Sequence, residues 1–244
     1  PFFFFLQFTV VPSAQMISLA EDSYAEVLKN NELSDNQQYK DQVKRVGERI
    51  SSAVEAYFRD QGRQQVLKNY KWEFNVLESD EMNAWCMPGG KIAFYEGIMP
   101  VCQDDNGVAV VMAHEIAHAV ARHGNERMSQ QLAVQMGGML LSEALEEEEE
   151  TTRNLAMAAF GVGSQLGILL PYSRTHESEA DELGLYFMAM ANYDPRGAPE
   201  FWKRMQAKGG PRPPEFLSTH PNPEARIKNM EEHMQEALQY YGEK

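Results

Sequence analysis

The stretch His114-Glu115-Ile116-Ala117-His118 constrains this chain more than any other. Two histidines four apart on a helix share a face, so both imidazoles can grip one metal ion. Glu115 leaves the helix at another angle; it cannot reach that ion, but it can hold and deprotonate a water beside it. The flanks favour a buried helix. Asp104-Asp105-Asn106-Gly107 offers capping residues and first-turn acids, and Val108, Val110, Val111, Met112, Ile116, Ala119 and Val120 form an almost wholly apolar run. Gly124 is the expected C-terminal stop. Two histidines and a glutamate in so apolar a helix are costly without a metal, which weighs against a plain core helix.

A catalytic zinc site needs a third protein ligand. The metzincin pattern would need glycine at 121 and histidine at 124, where the chain has Ala121 and Gly124. His123 is about half a turn out of phase with His114, so it is expected to point away from the metal, as a structural or supporting residue. A glutamate from a later helix is the remaining common solution, and 173–181 (SRTHESEAD) supplies one. Glu177 and Asp181, four apart, share a face. Glu177 can bind zinc while Asp181, one turn on, accepts the free ring N–H of a ligand histidine. Glu179, about 200° from Glu177 at 3.6 residues per turn, is expected to be solvated or paired with a base.

Four ordered segments, HEIAHAVARHG at 114–124, SRTHESEAD at 173–181, NAWCMPGGKIAFYEGIM at 83–99 and STHPNPEARI at 218–227, carry a resemblance. Together they resemble the HtpX and CAAX-prenyl-protease group of zinc endopeptidases, most closely its Oma-like and BepA-like branch, over roughly residues 40 to 235. The resemblance implies a gluzincin-like zincin domain with one zinc per chain, held by His114, His118 and Glu177. It further implies Glu115 as general base and Asp181 behind the ligands. A histidine at the equivalent of His220 can swing over the metal, and an arginine at the equivalent of Arg226 lies by the cleft, so one of the two is the expected transition-state donor.

Apolar spacing of three and four over 23–29 and 38–60, including Val43, Val46, Ile50, Val54, Tyr57 and Phe58, predicts helices. Trp72, Phe74 and Val76 then alternate with Lys71, Glu73 and Asn75 as in a half-exposed strand. Pro88-Gly89-Gly90 reads as a turn, and Lys91 to Tyr95 as a second strand just before the metal helix. In zincins an edge strand here pairs with substrate backbone, so Asn83 to Tyr95 is the candidate element, with Asn83, Ala84, Gly90, Lys91, Ile92 and Ala93 as substrate-binding residues. Further helices are expected over 128–145, through about Asn192, over 199–208, and from Asn222 or Pro223 to Tyr240. Gly209 to Pro214 reads as a Gly/Pro-rich lid, gating a site near His220. The fold expected is predominantly helical α+β, with a small sheet beside the metal helix.

The 244 residues suit one metallopeptidase domain, read as an N-terminal extension over 1–35 and a catalytic core over 36–240. A net charge of −14 argues against nucleic acid and anionic membrane surfaces as main partners; polypeptide substrates are expected. Pro1 to Leu6 is apolar but lacks a basic n-region, so the start reads as trimmed, and membrane association is expected to run through a missing N-terminal anchor. Leu155 to Tyr172 is apolar and just short of spanning length; a buried or cleft-lining helix is expected ahead of a membrane one. The acidic run Glu146 to Glu150 reads as a solvated helix end. Cys86 and Cys102 could be one disulfide or two buried thiols.

The expected activity is peptide hydrolysis on misfolded or membrane-associated proteins, in a cell envelope or periplasm or, alternatively, at the mitochondrial inner membrane. A zinc-binding chaperone-like module and a zinc hydrolase of a non-peptide substrate are the other two readings, and the intact Glu115 argues against the first.

Overall fold

The computed structural model describes residues 8–208, 214–221 and 223–242. Helix α1 (Ser13–Asn30) buries Met16, Ala20 and Tyr24, one helical face at a spacing of four, and its Tyr24 hydroxyl donates to the Ile92 carbonyl in the sheet (3.4 Å). In α2 (Gln37–Asp60) the Asn36 side chain accepts the Tyr39 N–H at 3.2 Å, which caps the start. Val43, Val46, Ile50, Val54 and Phe58 then form its inward stripe.

Three strands follow: β1 (Glu73–Leu77), β2 (Ala84–Met87) and β3 (Lys91–Tyr95). Their order is β1-β3-β2, with β3 parallel to β1 and antiparallel to β2. The β2–β3 turn needs glycine: Gly90 has φ +86°, and a Cβ there would lie 2.7 Å from the Trp72 ring. This order corrects the substrate-strand expectation. Lys91, Ile92 and Ala93 sit in the central strand, whose backbone is paired on both sides, and Gly90 is committed to the turn against Trp72. Within Asn83 to Tyr95 it is β2, with Asn83 just before it, that lies at an edge of the sheet, β1 forming the opposite edge.

After the short α3 (Met99–Cys102), Asp104 accepts the Gly107 N–H at 2.9 Å and starts α4 (Asp105–Val120). Gly107 is required there, because a Cβ would come within 1.9 Å of the Cys102 carbonyl oxygen. From Gly107 to Ala117 every residue of α4 is buried, as its apolar sequence demands. The helix ends sooner than Gly124. Arg122 takes the left-handed conformation (φ 58°) and turns the chain directly into α5 (His123–Ala144), where Gly124 lies inside the first turn.

Helix α6 (Glu150–Ser164), a π-helical turn (Gln165–Leu169) and α7 (Leu170–Met190) run on as one 41-residue helix. Its apolar stretch is not the buried helix expected: Leu155, Val162, Leu166 and Ile168 are exposed. Glu146 to Glu150 are exposed as well. Past residue 170 the helix turns inward across α4, and the two backbones approach closely because Gly184 has no side chain; a Cβ there would meet the His114 nitrogen at 3.3 Å. Helices α8 (Gly197–Ala207), α9 (Glu215–Thr219) and α10 (Pro223–Ala237) complete the core over α4 and α7. Most of the expected lid, residues 209–213, lies outside the described residues. Cys86 and Cys102 are free thiols.

Candidate metal centre

The α4–α7 contact and the α9–α10 corner bring four donors to one point. His114, His118, Glu177 and His220 each direct one nitrogen or carboxylate oxygen into a group whose atoms all lie within 4.8 Å of one another. The His114 and His118 Nε2 atoms are 3.0 Å apart, and Glu177 lies 3.5 and 3.4 Å from them through Oε2 and Oε1. His220 Nδ1 is 2.8 Å from Glu177 Oε2 and 3.3 Å from His114 Nε2. Glu177 Oε1 is buried with no hydrogen-bond partner, which is costly for a carboxylate oxygen unless a cation sits beside it. Imidazole nitrogens with one carboxylate suit zinc and other borderline divalent ions.

Burial drives the His118 imidazole down to about 3, outweighing the Glu177 charge, so its lone pair is available at neutral pH. Burial raises the Glu177 carboxyl, yet its electrostatic and hydrogen-bonding interactions with the surrounding imidazoles, His118, His220 and His114, overcome it and hold the group well below the usual carboxylate range. His220 moves the other way. Burial lowers it, but Glu177 and Glu115 draw it up to about 9.

Glu115 is buried one step from the donors, its Oε1 3.3 Å from His220 Nε2. Burial raises its carboxyl and the His220 charge more than compensates, so it is ionised at neutral pH. Asp181, with a wholly buried side chain, places Oδ1 3.1 Å from His114 Nδ1, in position to accept that N–H. Arg226 closes over the pair: its Nε donates to Asp181 Oδ2 at 2.8 Å, its Nη2 donates to Asp181 Oδ1, and Nη1 lies 3.3 Å from Glu177 Oε2. Its guanidinium sits 3.6 Å over the Trp202 ring, which stacks on Phe216, and Phe216 in turn packs against His220.

A cleft of about 270 Å³ opens onto this centre, lined by Asn83, Ala84 and Trp85 on the β2 side and by Glu115, His118 and His220 on the other. Of the two expected donors, His220 lines the cleft, whereas Arg226 is buried behind the cluster and does not.

His123 lies nearer the centre than helical phase implied. The turn at Arg122 breaks that phase and lays the His123 ring behind His118, Nδ1 to Nδ1 at 2.8 Å, with His123 Nε2 3.0 Å from Glu179 Oε2. Glu179 is thus paired with a base. His176 stacks on His123 at 4.3 Å and bonds Glu126. Sequence reasoning missed Trp202, Phe216 and Gly184: the aromatics read as ordinary core positions, and nothing in the spacing of Gly184 betrays a helix crossing.

The family model of peptidase family M48 matches residues 39–234. The chain is 38% identical over 173 residues to the mitochondrial metalloendopeptidase OMA1 of Schizosaccharomyces pombe, covering 70% of this chain and 49% of that protein. To the protein of the same name from Saccharomyces cerevisiae it is 34% identical over 197 residues, 77% of this chain and 54% of that one. The beta-barrel assembly-enhancing protease of Escherichia coli is 30% identical over 161 residues, 64% of this chain and 33% of its own length. The chain therefore spans about half, or less, of the curated relatives it matches.

Proposed function

This chain belongs to peptidase family M48, and on that premise we propose that it is a zinc-dependent endopeptidase acting on polypeptides. The observation that carries the reading is the convergence of His114, His118 and Glu177 around an otherwise unsatisfied carboxylate oxygen, with an ionised Glu115 alongside. Zinc held by these three residues, one ion per chain, would polarise a scissile carbonyl and acidify the attacking water.

The protein's own groups do the rest. Glu115 takes the proton of the attacking water and delivers it to the leaving amine. His220, within reach of both Glu115 and Glu177, donates to the carbonyl oxygen as it gains charge; it is also among the residues that would hold the ion when substrate is absent. Asp181 orients His114, and Arg226 holds Asp181. The open edge of β2 offers main-chain groups to an extended substrate, with Asn83 and Ala84 at the cleft wall.

We place the protein in a cell envelope, acting on misfolded or membrane-associated polypeptides, with the mitochondrial inner membrane as the alternative compartment. The mitochondrial metalloendopeptidases among its relatives support a membrane-bounded compartment. So does the exposed apolar part of the 150–190 helix, long and apolar enough by composition to cross a membrane. Zinc titration of the purified chain tests the centre. One zinc should bind per chain, and Glu177→Ala should lose it while keeping native circular dichroism; full zinc affinity in that variant would refute the ligand assignment.

A further inference from the structure

The two ligand histidines of α4 are supported in chemically different ways. Both present Nε2 to Glu177, so each has Nδ1 left over to face away from the metal. Behind His114 stands a carboxylate, Asp181, which can only accept. Behind His118 stands another imidazole, His123, with the two Nδ1 atoms 2.8 Å apart. An imidazole pair at that distance works only if one nitrogen carries hydrogen and the other offers a lone pair. His123 Nε2 in turn faces Glu179 Oε2 at 3.0 Å.

We infer that His123 is the positioning residue of ligand His118, acting through a His118–His123–Glu179 chain in which His123 is held as its Nε2–H tautomer. The inference rests on the metal reading proposed above. A ligand bound through Nε2 must keep its hydrogen on Nδ1, and that N–H points at His123 Nδ1, which therefore accepts. The hydrogen of His123 then resides on Nε2 and is donated to Glu179. Each atom has one role, and the carboxylate at the far end fixes them all. Burial keeps water from competing, since His123 is 2% and the Glu179 side chain 11% exposed. Stacking on His176 holds the His123 ring plane, 17° from parallel.

Two substitutions separate positioning from packing. His123→Phe keeps a flat ring to stack on His176 but removes the acceptor. His123→Asn loses the ring but places an amide oxygen near the old Nδ1. If His123 acts through its lone pair, zinc affinity measured by competition with a chelator falls about 10- to 100-fold in His123→Phe and returns most of the way in His123→Asn. If it only fills space, Phe binds zinc as tightly as the parent and Asn is the weaker variant, which overturns the inference. Nitrogen-15 NMR of histidine-labelled, zinc-loaded parent protein reads the tautomers without any substitution: Nδ1–H on His118 and Nε2–H on His123 are expected, and Nδ1–H on His123 would overturn it. A parent chain that binds no zinc would instead sink the metal reading itself.

Discussion

Arg226→Met removes the guanidinium that pairs with Asp181 behind the candidate metal centre. Asp181 has no exposed side-chain surface, and Arg226 is bonded to both of its oxygens while lying 3.3 Å from Glu177. Methionine keeps most of the apolar stem against Trp202 but leaves Asp181 with only His114 Nδ1 as a partner. Breaking a buried pair by deleting one member costs about 3–5 kcal/mol, because the remaining charge stays desolvated. For a domain of this size that corresponds to a melting temperature lower by about 6–20 °C. Thermal and urea unfolding of the metal-free protein measure it directly. Asp181→Asn combined with Arg226→Met should be less destabilised than the sum of the two single changes, by about 2 kcal/mol or more. A loss under about 1 kcal/mol in Arg226→Met, or strict additivity in the double variant, would refute the argument that this pair secures the site.

Two other outcomes follow from the same geometry. Gly184→Ala places a methyl 3.3 Å from the His114 backbone nitrogen, where neither helix can yield cheaply; it should weaken zinc binding as well as stability, whereas Gly163→Ala, with open space around its Cβ position, should leave zinc binding unchanged. Equal zinc affinities in the two variants would contradict the close-crossing account. Burial raises the Asp181 carboxyl, but the Arg226 charge outweighs it and holds the group below its ordinary value, so folding favours the ionised form. Its contribution is complete above the unfolded carboxylate range, near pH 4, and is lost as pH falls through the lower folded value. The stability gap between parent and Asp181→Asn should therefore narrow as pH drops from 6 to 3, and a widening gap would contradict the sign.

The metal helix was legible because its chemistry is local. Histidines four apart in an apolar run, with Asp104 to cap it, leave little choice of structure, and Glu177 with Asp181 repeats the same four-residue logic on a second helix. β1 and β3 were equally readable from the alternation around Phe74 and from the Gly89-Gly90 turn, whereas β2 was not read as a strand of its own. Strand order was not readable either. Whether Lys91 to Tyr95 forms an edge or the centre depends on β1 returning parallel to it, a pairing between distant segments that no local pattern encodes. His123 lies outside the donor cluster, as a supporting residue would, but its partner His118 was not legible, because helical phase holds only while the helix lasts and one left-handed residue, Arg122, ends it before His123. The apolar run after Leu155 shows the limit of hydropathy, which records what a helix would bury and not whether this chain buries it.

The central claim is that Glu115 serves as the proton carrier of a zinc peptidase. The most direct test is the rate at which zinc-loaded parent and zinc-loaded Glu115→Gln cleave an unfolded polypeptide. The substitution replaces a buried, ionised carboxylate with a neutral amide of the same shape, leaving all four clustered donors in place. The account predicts equal zinc content and a rate about 10²- to 10⁴-fold lower in the variant. Near-parental cleavage by Glu115→Gln at full zinc occupancy would contradict it.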